Sequence, residues 1–205
     1  LIADKVIIPD QFKKFYSEKV IYMPNCYQCN DSNRKTSKKE FSKTQLGLPE
    51  NAFVFACFNA NNKITSIEFD IWMNLLKKIK NSILWLYKSN NYSAINLKKE
   101  SEKRGVESSR IIFAERVSNE DHLSRIKCAD LFLDTFNYNA HTTASDALWS
   151  GVPVITKQGK SFSARVCSSL LTSLNLEELI VKDNVEYEEK AFCIATNSTY
   201  LKDLK

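Results

Sequence analysis

The sequence predicts an α/β protein whose central part, residues 46–182, forms a doubly wound, Rossmann-like parallel sheet covered by helices on both faces. From residue 53 onward, short apolar runs alternate with stretches that carry apolar residues at helical spacing, which is the pattern of βαβ units. The apolar runs are nearly unbroken, as in strands that are buried on both faces. Only four glycines and four prolines occur, and no internal repeat is visible, which argues against a linker-rich or repeat architecture.

Six strands and five helices follow from this pattern. The strands are expected at residues 53–58, 83–87, 110–114, 130–134, 153–156 and 178–181, and the helices at 66–80, 92–105, 118–129, 142–150 and 162–174. Gly105 is placed to end the second helix as a C-cap. Ser118 is placed to begin the third helix as its N-cap, with Asp121 supplying the carboxyl group of a capping box.

The segments on either side of this domain are less regular. Residues 1–45 contain one candidate strand, "EKVIYMP", followed by the lysine-rich run "NRKTSKKEFSK" at residues 33–43, which we interpret as a solvated, mobile connection between domains. Residues 183–205 are expected to form a final segment of one or two helices. Because the chain begins with Leu1 rather than methionine, it is expected to be a fragment of a longer protein.

Composition excludes several classes of protein. Hydrophobic residues make up 43% and charged residues 26% of the chain, which is ordinary for a globular protein. No apolar run approaches the roughly 20 residues of a membrane span, and no signal peptide is visible, so no membrane partner is expected. The cysteines favour reduced thiols, and a cytoplasmic location is expected on that ground. The net charge of +5 suits an anionic small molecule. No aromatic residues interleave the lysine-rich run, so a nucleic-acid partner is not expected.

Six cysteines indicate reduced thiols rather than a disulfide framework or a metal centre. Only Cys26 and Cys29 have the spacing of metal ligands, and no second such pair or histidine cluster completes a zinc site. Cys57 and Cys128 lie in apolar segments and are expected to be small core residues. No bound metal is therefore expected.

Polar residues gather where the predicted strands end. In an open parallel sheet, ligands bind beyond the carboxyl ends of the strands. Lys63 follows the first strand, His122 and Arg125 follow the third, and the fourth is followed by His141, Thr142, Thr143 and Asp146. Hydroxyl groups ahead of a helix N-terminus are typical of anion binding. Taken singly, these residues could also be an exposed loop lysine, surface neighbours on a helix and ordinary capping residues.

Familiar nucleotide motifs are absent from the sequence. There is no GxGxxG after a strand, no GxxxxGK[ST] loop and no GxSxG elbow, so dinucleotide oxidoreductases, P-loop NTPases and α/β hydrolases are not supported. Asp134 stands alone at its strand end, without the acidic partner of a DxD metal site. A diphosphate bound here without metal would depend on Lys63, the helix N-terminus after His141 and the threonine hydroxyls.

Five segments together resemble a known family. They strongly resemble the catalytic C-terminal half of the O-linked N-acetylglucosamine transferases, the SPINDLY-like enzymes of glycosyltransferase family 41: "YSEKVIYMPNCYQCND", "FNANNKI", "RIIFAERVSNEDHLSR", "ADLFLDTFNYNAHTTASDALWSGVPVIT" and "ARVCSSLL". The resemblance implies a GT-B architecture in which residues 46–182 form the C-terminal, UDP-sugar-binding lobe. Residues 1–45 would then be the end of the N-terminal catalytic lobe and the connection between the lobes.

The resemblance also implies a role for each candidate residue. Lys63 would contact the diphosphate as the catalytic residue that steadies the leaving group. The remaining positions would bind the donor: Val117, Ser118 and Asn119 at the nucleoside, His122 and Arg125 around the uracil, His141, Thr142 and Thr143 at the pyrophosphate, and Asp146 at the ribose. The chain differs from the animal enzymes at Ala60, where they have a glutamine, so that one donor contact is either missing or made by Asn61 or Asn62. It also differs at Asn119, where they have a lysine.

The implied activity is metal-independent, inverting transfer of N-acetylglucosamine from UDP-GlcNAc to serine or threonine hydroxyls of proteins, with no cofactor. The missing N-terminal lobe, which would supply an active-site histidine, and a set of tetratricopeptide repeats are expected in the full-length parent. The isolated chain should therefore bind donor better than it turns it over. Two alternatives remain open: a non-catalytic UDP-binding module, and a GT-B transferase that uses another nucleotide sugar or a small-molecule acceptor.

Overall fold

The computed structural model describes residues 1–205 and contains eight strands and seven helices. The strands are β1 (Ile2–Ala3), β2 (Ile21–Tyr22), β3 (Phe53–Cys57), β4 (Ser82–Tyr87), β5 (Ile111–Ala114), β6 (Leu131–Leu133), β7 (Val154–Lys157) and β8 (Ile180–Val181). The helices are α1 (Ser66–Lys78), α2 (Asn91–Lys103), α3 (Asn119–Arg125), α4 (Thr142–Trp149), α5 (Val166–Ser173), α6 (Asn184–Thr196) and α7 (Ser198–Leu204).

Strands β3 to β8 form one parallel sheet in the order β5-β4-β3-β6-β7-β8. The chain enters the sheet at its centre, moves outward to β5, returns to β6 beside β3 and then moves outward on the other side. This is the strand order of a Rossmann fold, and the direction reverses between β3 and β6. Because crossovers between parallel strands are right-handed, the two halves place their helices on opposite faces of the sheet. The predicted doubly wound α/β fold is confirmed.

The core is built from the apolar runs that the sequence shows. Strand β3 pairs with β4 on one side and β6 on the other, with Phe55 opposite both Leu84 and Leu131. Helix α1 lays Trp72 and Leu76, four residues apart, against this sheet, and both side chains are fully buried. Each buried side chain of this size stabilises the fold by about 1.5–3 kcal/mol, so the strands on either side of the direction reversal are held firmly.

Most predicted boundaries agree with the structure within two residues. The C-cap of α2 is Arg104, and the predicted Gly105 lies one residue further on with φ +75°, the left-handed conformation that ends a helix after its C-cap. The Ser118 hydroxyl accepts a hydrogen bond from the Asp121 N–H at 3.2 Å, which confirms the N-cap of α3. The helix predicted at 162–174 begins only at Val166, because the preceding residues form a turn in which the Gly159 N–H donates to the Ala164 carbonyl.

The first 27 residues pack on α5 rather than extending into solvent. Strands β1 and β2 pair in parallel, and Ile7 and Ile8 form a small second core with Val166. The buried carboxylate of Asp4 accepts hydrogen bonds from the backbone N–H groups of Val6, Ile7 and Tyr27 and from the Ser169 hydroxyl. These contacts tie the start of the chain to the sheet domain.

The lysine-rich segment at residues 33–43 is not a free connection, and the prediction of a solvated, mobile segment is corrected here. Several lysines in it are exposed, but the backbone lies along α3, where the Ser37 N–H donates to the Glu120 carbonyl and the Ser124 hydroxyl donates to the Lys39 carbonyl. The side chain of Arg34, from the same segment, is largely buried, with 10% of its surface exposed. The lysine content of this segment predicted that it is solvated. Its backbone instead contacts residues of α3, which lie far away in the sequence and leave no signal in the segment itself.

The C-terminal segment belongs to the main core, since Tyr187, Ala191 and Ile194 of α6 are all fully buried there. The domain boundaries at residues 45 and 182 stay predictions, and both flanking segments pack on the sheet domain. All six cysteines are free thiols, with Cys57 buried and Cys128 partly buried. None of the helices combines the length and the apolar character that a crossing of the bilayer would need.

Candidate functional site

A cavity of about 470 Å³ lies where the sheet reverses direction, beyond the carboxyl ends of β3 and β4. This is the place where open α/β sheets bind ligands. The cavity is lined by both aromatic and charged side chains: Phe58, Ala60, Tyr87, Arg116, Val117, Asn119, His122, Arg125, Thr143 and Asp146. Six of these residues were predicted from the sequence as donor-binding positions.

Asp134 organises the loop that leads from β6 to α4. Its carboxylate is fully buried and accepts four hydrogen bonds, from the N–H groups of Thr135 and Ala140, the Thr156 hydroxyl and the Asn59 side-chain amide. Burial raises the pKa of Asp134 to about 7, against the opposing effect of these hydrogen bonds. The loop is therefore closed on itself, and it delivers the first turn of α4 to the cavity in one position.

This buried carboxyl predicts a pH dependence of stability. The pKa of Asp134 is about 3.8 in the unfolded chain and about 7 in the folded protein. Between these two pH values the folded state binds more protons than the unfolded state, so the free energy of unfolding falls as the pH rises. We expect Asp134 to contribute a decline of up to about 1.4 kcal/mol per pH unit across this window. Urea unfolding from pH 4 to pH 7.5 measures it, with Asp134→Asn as the non-titrating comparison. An equal pH dependence in both proteins would contradict the prediction.

The N-terminus of α4 has no side-chain cap. His141 occupies the N-cap position, but it makes no capping hydrogen bond. The Thr142 side chain is exposed, and the Thr143 hydroxyl donates to the Asn59 amide oxygen at 2.5 Å. The alternative that these threonines are ordinary capping residues is therefore wrong. The first-turn N–H groups carry the positive end of the helix dipole and remain available for an anion.

Lys63 and His141 both contact the ring of Tyr138. The Lys63 ammonium sits 3.9 Å from the centre of the Tyr138 ring and donates to the Asn139 carbonyl at 3.2 Å. The His141 ring stacks on the same tyrosine at 4.7 Å, and its Nε2 lies 3.3 Å from the Ser163 carbonyl oxygen. Burial lowers the pKa of Lys63 and of His141. Lys63 is thus not a free surface lysine, and its only neutralising partners are an aromatic face and a carbonyl.

His122 and Arg125 face the cavity from α3. Arg125 is 5% exposed, which makes the alternative of two surface neighbours wrong. Its Nη1 donates to the Glu115 carbonyl at 2.7 Å, whereas its Nε is buried without a partner. Burial, reinforced by the positive charges of Arg125 and Arg34, lowers the pKa of His122 to about 4. His122 is therefore neutral near pH 7 and can accept or donate a hydrogen bond.

The loop before α3 supplies one wall of the cavity. Val117 and Asn119 line it, while the Ser118 hydroxyl is used as the N-cap of α3. Asn61 cannot take over the contact that Ala60 lacks, because both ends of its side-chain amide are occupied by the Tyr87 carbonyl and by Ser89 and Ser93. Asn62 is exposed and remains available.

Asp146 also lines the cavity, but it is paired with a residue that was not among the candidates. Its carboxylate binds the Arg34 guanidinium, and its second oxygen lies 3.9 Å from the His122 Nε2. Burial raises the pKa of Asp146, and the charge of Arg34 opposes that shift. A buried carboxylate with an arginine partner and one oxygen toward the cavity is suited to accept hydrogen bonds from a ligand.

The predicted residues thus form two adjoining groups. His122, Arg125, Thr143 and Asp146 line the cavity, whereas Lys63, His141 and Thr142 lie beside it and are not part of its lining. Sequence reasoning missed the roles of Asn59, Tyr138 and Arg34. Asn59 and Tyr138 follow the ends of predicted strands, and that position could have marked them as candidates. Arg34 follows no strand of the predicted sheet, so nothing in the sequence marked it.

Residues 33–205 match the sequence profile of glycosyl transferase family 41. The chain belongs to this family. The probable UDP-N-acetylglucosamine–peptide N-acetylglucosaminyltransferase SEC of Arabidopsis thaliana is 36% identical over 100% of the chain. The UDP-N-acetylglucosamine–peptide N-acetylglucosaminyltransferase of Caenorhabditis elegans is 35% identical over 80% of it. The chain spans 22% of the length of the first relative and 14% of the second.

The fold agrees with this family assignment. The family 41 chain superposes on a mutant O-GlcNAc transferase of Thermobaculum terrenum with a TM-score of 0.87 at 27% identity, covering 100% of the chain and 38% of that protein. This match confirms the prediction that the sheet and its helices are a lobe of a GT-B glycosyltransferase. The strand order and the cavity at the direction reversal are thus features of a glycosyltransferase lobe.

Proposed function

We propose that this chain is the donor-binding lobe of an inverting, metal-independent glycosyltransferase that moves N-acetylglucosamine from UDP-GlcNAc to serine or threonine hydroxyls of proteins. The observation that carries the proposal is the combination, at one edge of the sheet, of the uncapped α4 N-terminus, Lys63 and a cavity lined by Arg125 and Asp146. Relatives named for this activity, with 35–36% identity, support it.

The diphosphate is proposed to lie between Lys63 and the first turn of α4. Lys63 makes no ion pair, so a phosphate oxygen can replace the Asn139 carbonyl as its acceptor. The N–H groups at Thr142 and Thr143 add the positive end of the α4 dipole. Together one full charge and a helix N-terminus provide charge-assisted hydrogen bonds to a diphosphate without requiring a metal ion or a cofactor.

The nucleoside is proposed to occupy the cavity. Phe58 and Tyr87 supply aromatic walls, and the unpartnered Nε–H of Arg125 offers a donor to a base carbonyl. Neutral His122 adds a second polar group at the same wall, and Val117 and Asn119 close it from the loop before α3. Asp146 is placed to accept hydrogen bonds from the ribose hydroxyls.

In the transfer step, the acceptor hydroxyl releases its proton and its oxygen bonds to the anomeric carbon, while the bond from that carbon to the β-phosphate oxygen breaks. Negative charge grows on the departing UDP. Lys63 and the α4 N–H groups stabilise that charge more strongly in the transition state than in the bound donor, which lowers the barrier. The acceptor protein, the tetratricopeptide repeats and the N-terminal lobe are proposed to belong to the full-length enzyme. The six free thiols fit a reducing, cytoplasmic location.

Calorimetric titration of the chain with UDP tests the donor site. We expect saturable binding in the wild type that falls at least about tenfold in His141→Ala, because the imidazole holds the turn ahead of α4 against Tyr138 and Ser163. Lys80→Ala, at an exposed lysine with no recorded contact, is the matched surface control and should bind normally. A folded wild-type chain that does not bind UDP would overturn the proposal for this chain.

A further inference from the structure

We propose that Arg34, from the segment before the sheet domain, is a positioning residue of the donor site that holds Asp146 and presents its free oxygen to the ribose. This inference rests on the proposed function, since it names a further residue of the same site. It also extends the site beyond residues 46–182 into the segment that was interpreted as a connection between domains.

The contacts of Arg34 are specific and buried. Its side chain is 10% exposed and its partner Asp146 is 7% exposed. The Nη2 group donates to Oδ1 of Asp146, Nη1 lies 3.5 Å from the Ser145 hydroxyl, and the guanidinium stacks 5.3 Å from the centre of the Trp149 ring. The Ser145 hydroxyl also donates to the Asn30 side-chain oxygen at 2.5 Å, which adds an attachment of the same segment to α4.

The pairing leaves half of the carboxylate for a ligand. An ionised carboxylate has two oxygens and about four acceptor positions, and Arg34 occupies Oδ1 alone. Oδ2 faces His122, 3.9 Å away, which is beyond hydrogen-bond distance, and Asp146 lines the cavity. Oδ2 is therefore fixed in direction by its neighbour and still unoccupied. A ribose diol has the donors that such an oxygen accepts.

Arg34 is also the cation that opposes the effect of burial on this carboxyl. The charged and titratable groups around Asp146 are Arg34, His122 and, farther along α3, Arg125. Burial raises the pKa of Asp146, and Arg34 is the group that opposes it. His122 is neutral near pH 7 and Arg125 is directed at the Glu115 carbonyl, so neither can replace Arg34.

The competing interpretation is that the pair only fastens residues 30–34 to α4. A purely structural tie would affect all ligands of the cavity alike and would not depend on pH. The positioning role instead predicts a loss that requires the ribose hydroxyls and grows as the pH falls, because the uncompensated carboxyl then takes up a proton.

The experiment compares UDP with 2′,3′-dideoxy-UDP by calorimetry between pH 5.5 and pH 8. We expect Arg34→Met to bind UDP about 10- to 100-fold more weakly at pH 7, with a larger loss at pH 5.5, and to bind the dideoxy analogue almost as the wild type does. Arg34→Lys keeps a cation and should restore most of the wild-type pH profile. Lys35→Met removes an exposed lysine from the same segment and is the control.

The outcomes separate the role of Arg34 from the existence of the donor site. If Arg34→Met loses affinity equally for both nucleotides and without pH dependence, the role of Arg34 is overturned and the donor site stays in place. The same holds if Asp146→Asn shows a ribose-specific loss of affinity that Arg34→Met does not share. Failure of the wild type to bind UDP would instead overturn the proposed function. If the methionine variant does not fold, Arg34→Gln, which keeps a hydrogen-bond donor without the charge, carries the same comparison.

Discussion

Replacing Lys63 with alanine is expected to lower sugar transfer by about 10²- to 10³-fold in the full-length enzyme while the fold survives. The ammonium is the one full positive charge beside the α4 N-terminus that has no acidic partner, only the Tyr138 ring and the Asn139 carbonyl. Its removal leaves the charge that develops on the β-phosphate with the helix N–H groups alone. No core contact is lost, because the side chain is only partly buried.

The measurement is steady-state transfer, with circular dichroism and urea unfolding of the isolated chain as a check of folding. Lys80→Ala should keep full activity. Binding measurements test whether Lys63 acts on the diphosphate. Lys63→Ala should weaken the binding of UDP and leave the binding of uridine, which has no phosphate, unchanged. Turnover of the variant at the wild-type rate would refute the assignment of Lys63, and an equal loss for uridine would show that the lysine acts on the cavity as a whole.

Replacing Asp134 with alanine is expected to cost at least about 3 kcal/mol of unfolding free energy. The substitution removes the acceptor of four buried hydrogen bonds, and the donors from Thr135, Ala140, Thr156 and Asn59 cannot all find water inside the sheet. A buried donor left without a partner costs about 1–3 kcal/mol. The loss should also release Asn59, and with it the contact to Thr143 at the start of α4.

Urea unfolding at constant pH measures this cost. Asp183→Ala is the matched control, because Asp183 is also an N-terminal acceptor but caps α6 at the surface, where its loss should cost about 1 kcal/mol. Comparable losses in the two variants would mean that water or a shift of the loop replaces the Asp134 carboxylate. If Asp134→Ala instead keeps wild-type UDP affinity, then the loop is not what aligns the α4 N-terminus.

The two largest expected effects thus come from two residues that follow neighbouring central strands and have different roles. Lys63 follows β3, is free of ionic partners and is proposed to meet the ligand. Asp134 follows β6, is wholly committed to the protein and never reaches the cavity. Both were visible in the sequence as polar residues at strand ends, but only their burial and partners separate a group that binds from a group that supports.

The sequence by itself determined the strands and helices of the sheet domain, since apolar runs and helical spacing are local and period-dependent signals. It also placed Lys63, His122, His141 and Asp146 at one edge, because the carboxyl ends of parallel strands must meet there. The tertiary structure alone decided which of these residues share the cavity. It alone paired Arg34 with Asp146 and Asn59 with Thr143, contacts that join residues 84 or more positions apart. Such pairs depend on how far helices and loops fold back over the sheet, and no local pattern in the chain encodes that distance.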